Sequence, residues 1–167
     1  MPLAAIGFGA NLPSAAGEPA QTLQAALAAL ASLGQVTATS SFYRTEPVGY
    51  REQPSFVNAV SLLCTEREPL ALLDDLLALE RRFGRDRTGA PPKGPRTLDL
   101  DLLFYDDLVL ATPALTLPHP ALHERRFVLA PLAELAPQWR HPHLHCTIAE
   151  LVAALPPEPG AVVRMNR

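Results

Sequence analysis

The chain has 167 residues, 48% hydrophobic and 19% charged, enough for one domain, residues 1–167, with a buried core. A net charge of −3 and a pI near 5.9 exclude the broad basic excess of a nucleic-acid-binding surface. No apolar run approaches a membrane span, the start MPLAAIGFGANLP lacks the basic region of a signal peptide, and Cys64 and Cys146 form neither a metal spacing nor a disulfide framework. A cytoplasmic protein without membrane or nucleic-acid partners is therefore expected.

Leu3 to Gly9 is an apolar run read as a buried first strand. Gly7 and Gly9 could begin a dinucleotide fingerprint, but Leu12 stands where the third glycine belongs, so the preferred reading is that Gly9 lets the chain turn and Asn11 supports that turn. Ala20 to Leu33, with Leu23, Leu27 and Leu30 at helical spacing, predicts a helix stopped by Gly34. Val36 to Tyr43 and Phe56 to Cys64 read as strands, separated by the polar loop RTEPVGYREQPS. Pro69 opens a second helix that runs to Arg82 and stops at Gly84, with Leu72, Leu73, Leu76, Leu77 and Leu79 as its apolar stripe. Glu80, in its last turn, is unfavourable against the helix dipole unless something positive faces it; a ligand role and a solvated surface role both remain open.

The stretch GPRTLDLDLLFYDD, residues 94–107, carries the densest chemistry. Strict alternation predicts a strand with Leu98, Leu100, Leu102 and Phe104 on one face and Thr97, Asp99, Asp101 and Leu103 on the other. Asp99 and Asp101 then point the same way with Cα atoms about 6 to 7 Å apart. Two carboxylates at that separation resist joint ionisation unless a cation sits between them, and an oxygen-only pair suits Mg²⁺. A solvated strand face gives the same alternation. The cationic loop just upstream, with Arg85, Arg87, Lys93 and Arg96 among glycines and prolines, favours a lid over a polyphosphate whose metal the aspartates hold. A turn at Asp106 and Asp107 and a return strand through Leu110 follow.

Thr116 to Phe127, TLPHPALHERRF, reads as a rigid loop in which His119 and Arg125 hold phosphate or ribose, or as a merely solvated basic loop. A short helix is expected over 131–136. His141, His143 and His145 alternate without an acidic or second cysteine partner nearby, a weak zinc pattern. Thr147 with Glu150 is a capping box for a last helix, and the tail from Pro156 reads as a loose or edge segment. The order β-α-β-β-α-β predicts an α+β ferredoxin-like sandwich, mainly antiparallel, with helices on one face.

Taken together, GANL, SSFYRTEPVG, QPSFVNAV, LERRFGRDR, GPRTLDLDLLFY, LPHPALHERRFVLAPL and ELAP resemble the hydroxymethyl-dihydropterin pyrophosphokinase family of folate biosynthesis, over residues 9–137. The resemblance implies an ATP-dependent diphosphokinase acting on small-molecule substrates, with two Mg²⁺ ions on Asp99 and Asp101 and catalysis by Arg85, Arg96, Asp99 and Asp101. It implies Thr45, Val48, Phe56, Asn58 and Phe127 around the pterin, and Glu80, Arg85, Arg87, Arg96, Leu102, Thr116, His119 and Arg125 around ATP. A monomer is expected. Lys93 stands where several members carry Trp, and Glu46 where some carry proline. The rival classes, a non-catalytic ligand-sensing module and an RNA-binding sheet, call for neither paired carboxylates beside a cationic loop nor this charge balance.

Overall fold

The computed structural model describes residues 1–46, 52–85, 95–156 and 162–165. In chain order the elements are β1 (Leu3–Ala10), α1 (Pro19–Leu30), β2 (Gln35–Thr39), β3 (Tyr43–Thr45), β4 (Phe56–Cys64), α2 (Pro69–Arg82), β5 (Asp99–Tyr105), β6 (Leu110–Ala111) and β7 (Thr116–Leu117). A 3₁₀ turn at Leu122–Glu124 follows, then α3 (Arg126–Leu135), α4 (Ile148–Ala154) and β8 (Val162–Arg164). Among the described residues six strands make one antiparallel sheet in the order β5-β1-β4-β3-β8, with β2 also paired to β4.

The sequence LAAIGFGA offers β1 no polar face, and the strand is buried on both sides. One side packs Ala4, Ile6 and Phe8 against Leu23, Ala26 and Leu30 of α1 and Leu72, Leu76 and Leu79 of α2. The other packs Ala5, Val60 and Leu62 against Leu129 and Leu132 of α3 and Ile148 and Leu151 of α4. Helices therefore cover both faces rather than one, because a strand without a wet side needs two covering layers. Full burial of a leucine such as Leu72 or Leu129 contributes about 1.5–3 kcal/mol.

Three local readings change. The second strand is split into β2 and β3, because the Val60 N–H bonds the Ser40 side chain at 3.0 Å where a ladder carbonyl would otherwise serve. Strict alternation fails in β5: Ala5 pairs with Phe104 but Ile6 pairs with Leu102, so Leu103 is an extra residue. That bulge sends Phe104 into the α3 side, stacked on Trp139 with ring centroids 5.1 Å apart, while Leu100, Leu102 and Tyr105 stay on the α1 and α2 side. Lastly, β6 does not return along β5. Asp106 turns with φ of 49°, and β6 pairs with β7 in a separate two-stranded ribbon.

The short helix expected from Pro131 starts earlier and forms α3, with Pro131 inside it and buried. Thr147 and Glu150 form the capping box of α4. The tail supplies β8 as an edge strand on β3. His141 is buried and structural: its Nδ1 accepts from the His143 and Leu144 N–H groups at 3.2 and 3.0 Å, and its ring meets Phe104 edge-on. No group of three or more metal-ligating side chains occurs among the described residues. No helix among them is long and apolar enough to cross a membrane.

Candidate active site

Sheet register assembles the site. Tyr43, Asn58, Gly9 and Asp99 are direct partners across four strands, and Val60, Gly7 and Asp101 form the next row. Directly paired residues share a face, so Asn58 and the two aspartates stand on the α3 side with a pair of glycines between them. Neither glycine has a positive φ. Gly9 lies within β1 and does not turn the chain. A Cβ there would lie 2.9 Å from Asn58 Oδ1, so glycine provides space rather than conformational freedom. Along this glycine row, here termed the trough, Asn58 stands on one bank and Asp99 and Asp101 on the other, with the Asn58 amide against Gly9 and the Leu103 side chain against Gly7.

On the first bank, Thr45 is paired with Phe56, and Asn58 Nδ2 donates to Thr45 Oγ1 at 2.6 Å. Both polar residues are buried. Tyr43, one rung away, donates its hydroxyl to Glu134 Oε1 at 2.7 Å, and Glu134 Oε2 accepts from the Ser41 N–H at 2.9 Å. These bonds tie β3 to α3, the helix that carries Phe127. Burial and the Glu134 carboxylate push the Tyr43 phenol up to about 12. Burial alone would raise Glu134, but the hydrogen bonds from Tyr43 and Ser41 and the Arg164 charge hold it below the usual range.

On the second bank, Arg85 Nη1 lies 3.3 Å from Asp99 Oδ1 and Arg96 Nη1 3.0 Å from Asp99 Oδ2. Arg85 also donates to the Leu98 carbonyl at 3.0 Å. The Arg96 guanidinium lies over the Phe56 ring, with Cζ 5.3 Å from its centre. Asp101 is left with less compensation. Burial first, then the Asp99 charge, push its carboxyl well above the usual range, although Arg125 and Arg96 pull the other way. A carboxylate so placed is stabilised by an added cation, and an all-oxygen pair on one strand face fits Mg²⁺.

Glu80 is buried, and its Oε2 accepts from the Leu100 N–H at 2.7 Å, gripping the edge strand between the two aspartates. That amide answers the dipole problem the sequence posed. His119 Nδ1 accepts from the Ala121 N–H, which leaves the proton on Nε2, 4.0 Å from Asp101 Oδ1. Burial and then the Arg125 charge push His119 down to about 4, so it is neutral at pH 7. Arg125 lies over the Phe127 ring, Cζ to centre 5.7 Å. Thr116 is exposed at the start of β7, and the Leu102 side chain is in the core, leaving its main chain for any ligand. Val48, Arg87 and Lys93 lie outside the described residues, as does most of the expected lid. Sequence reasoning missed the trough and the Glu134 tether; two glycines at alternate positions of an otherwise apolar strand were the available signal for the first.

The sequence model of the 7,8-dihydro-6-hydroxymethylpterin-pyrophosphokinase family, HPPK, matches residues 5–137. The chain belongs to the HPPK family. A 2-amino-4-hydroxy-6-hydroxymethyldihydropteridine pyrophosphokinase of Pseudomonas aeruginosa is 43% identical over 166 residues, covering 93% of this chain and 96% of the relative. One from Synechocystis is 43% identical over 151 residues, 89% of this chain and 74% of the relative. The folic acid synthesis protein Fol1 of Schizosaccharomyces pombe is 38% identical over 156 residues, 92% of this chain, but the match spans only 20% of that longer protein. Among solved structures, Plasmodium falciparum HPPK-DHPS superposes with a TM-score of 0.72 at 16% identity, covering 91% of this chain and 44% of that one. That likeness shows the HPPK fold as a mixed α/β structure with a mainly antiparallel sheet.

Proposed function

We propose that the trough binds hydroxymethyldihydropterin against Asn58 and ATP against Asp99 and Asp101, and that the chain transfers pyrophosphate between them. The activity is that of the HPPK family, from ATP to the hydroxymethyl group of 6-hydroxymethyl-7,8-dihydropterin in folate biosynthesis. The observation that carries the site assignment is the row Asn58, Gly9, Asp99, which sets a buried amide and a carboxylate pair on one face of the sheet with a single glycine between them.

Asn58 and Thr45 offer the fixed donor and acceptor atoms that a pterin edge requires, and Phe56 and Phe127 offer aromatic faces on the same side of the sheet. The resemblance to the family adds Val48 to this pterin set. The hydroxymethyl oxygen attacks the β-phosphorus of ATP, the bond from that phosphorus to the α–β bridging oxygen breaks, and AMP leaves. Attack on a polyanion needs its charge neutralised and its oxygen held in line. Arg85 and Arg96 supply fixed guanidiniums for that charge, and His119, Arg125, Arg87, Thr116 and Glu80, with the Leu102 main chain, bind and orient the nucleotide. Asp99 and Asp101 would hold two Mg²⁺ ions, which when bound neutralise phosphate charge and acidify the attacking hydroxyl.

Residues 1–167 form one pyrophosphokinase domain in this reading. Counting β2 and β3 as one interrupted strand, the sheet order supports a ferredoxin-like βαββαβ core. A monomer in the cytoplasm, where ATP is at hand, is part of the same proposal. Incubation with ATP, Mg²⁺ and hydroxymethyldihydropterin should yield AMP and the pterin diphosphate in equal amounts. Release of ADP, or no pterin-dependent AMP, would overturn the proposal.

A further inference from the structure

Asn11 follows β1 immediately, is 2% exposed and belongs to none of the ligand-facing sets above. Its side-chain amide is fully used. Oδ1 accepts the Arg96 N–H at 2.8 Å, and Nδ2 donates to Gln53 Oε1 at 2.8 Å and to the Pro54 carbonyl at 3.0 Å. The main-chain N–H groups of Asn11 and Leu12 both donate to the Arg96 carbonyl, at 3.0 and 3.1 Å. Both polar groups of the Arg96 main chain are thus held by Asn11 and its neighbour. The same side chain ties on the segment that leads into Phe56. The β1–β5 ladder does not account for this, since its last pair is Gly9 with Asp99.

We propose that Asn11 is a positioning residue for pyrophosphoryl transfer, a two-sided clamp that fixes Arg96 against Asp99 on one side and Phe56 on the other. A guanidinium is useful to a transferring phosphoryl group only where it already stands, and a displacement of about 1 Å can cost on the order of 10²-fold in rate. Long arginine side chains have many rotamers, so pinning the main chain at both N–H and C=O removes the first source of drift. The clamp also explains why a buried amide is placed just beyond the strand: Asn has one acceptor and two donors, matching one N–H on one loop and two oxygens on the other.

The inference rests on the assignment of Arg96 to the transfer step, and a double-mutant cycle separates the two. Single-turnover rates at saturating ATP, Mg²⁺ and hydroxymethyldihydropterin are measured for Asn11→Ala, Arg96→Ala and the double variant. Asn11→Ala should slow transfer about 10- to 100-fold with the KM for ATP changed less than about threefold. The double variant should be no slower than Arg96→Ala alone, because Asn11 acts through Arg96. Losses that multiply, or an unchanged rate in Asn11→Ala, overturn the clamp while leaving Arg96 in place; an unchanged rate in Arg96→Ala overturns both. If Asn11→Ala does not fold, Asn11→Asp decides. It keeps the acceptor for the Arg96 N–H but loses the donor to the Pro54 carbonyl, so it should slow transfer by no more than about tenfold and slow Arg96→Ala no further. A loss as large as that of Arg96→Ala would refute the assignment.

Discussion

Replacing Gly9 by alanine tests the trough with one methyl group. The added Cβ would meet Asn58 Oδ1 at 2.9 Å, and ordinary contact begins near 3.4 Å, so the amide must retreat. Its retreat pulls on the 2.6 Å bond from Asn58 Nδ2 to Thr45 Oγ1, between two groups that are each less than a tenth exposed. Weakening a buried hydrogen bond costs about 1 kcal/mol, and leaving a buried polar group unsatisfied costs up to about 3. Where the pterin contact of Asn58 bears that cost, at about 1.4 kcal/mol per factor of ten, pterin affinity should fall roughly 5- to 150-fold. Binding of a non-hydrolysable ATP analogue should change less than about twofold, since no nucleotide-side atom lies within 4 Å of the new methyl. Titration calorimetry with each ligand separates these effects. Gly7→Ala is the control, because the nearest atoms its Cβ would meet are those of Leu103, at an ordinary 3.4 Å and beyond. Unchanged pterin affinity in Gly9→Ala, or an equal loss in Gly7→Ala, would show that Asn58 is not placed by the space glycine leaves.

Other perturbations follow from the same geometry. Asp101→Asn should lower single-turnover transfer by at least about 10²-fold without lowering the melting temperature, because burial and Asp99 already oppose the Asp101 charge; near-normal turnover would remove its role. His141→Ala should cost about 1–3 kcal/mol in urea unfolding, since two N–H groups lose their acceptor, while the rate at saturating substrates stays unchanged. Burial, reinforced by His123, His143 and His145, holds the folded His141 pKa below the ordinary 6.5, so its contribution is complete above pH 6.5 and is lost as pH falls toward the folded value. His141→Ala should flatten that part of the acid unfolding curve. Tyr43 has the opposite window. Its folded pKa of about 12 exceeds the ordinary 10, the unfolded chain loses the proton first, and stability falls as pH rises from 10 to 12. Tyr43→Phe should abolish this alkaline slope; a slope that persists would place its origin elsewhere.

What the sequence disclosed and what it withheld divide along physical lines. Local signals with local causes were legible: proline at the start of α2, the Thr147 and Glu150 box and the period-two leucines from Leu98 to Leu102 all depend on neighbours within a few residues. Asp99 and Asp101 belong to this group, since two residues apart on a strand suffices to aim them alike. Phe104 does not, because the bulge at Leu103 is decided by pairing with β1, some hundred residues away in sequence. Glu80 was ambiguous for a related reason: the amide that satisfies it, Leu100 N–H, belongs to another element.

The deepest omission concerns β1, and it follows from where that strand lies. A central strand buried on both faces is a poor place for catalytic polar groups, so the polar machinery stands on its neighbours β4 and β5. What β1 can contribute is room and a fixed end. Gly9 supplies the room, leaving space for the Asn58 amide, and Asn11 supplies the end, where the strand emerges and can reach the loops on both sides. Reading a pattern registers the residues present, whereas here the decisive feature is a missing side chain. Its meaning depends on which residues flank it across the sheet, and only the register of β4 and β5 on β1 supplies them. The same register makes the glycine row and the Asn11 clamp parts of one device: the strand that leaves space for the amide also fixes the arginine.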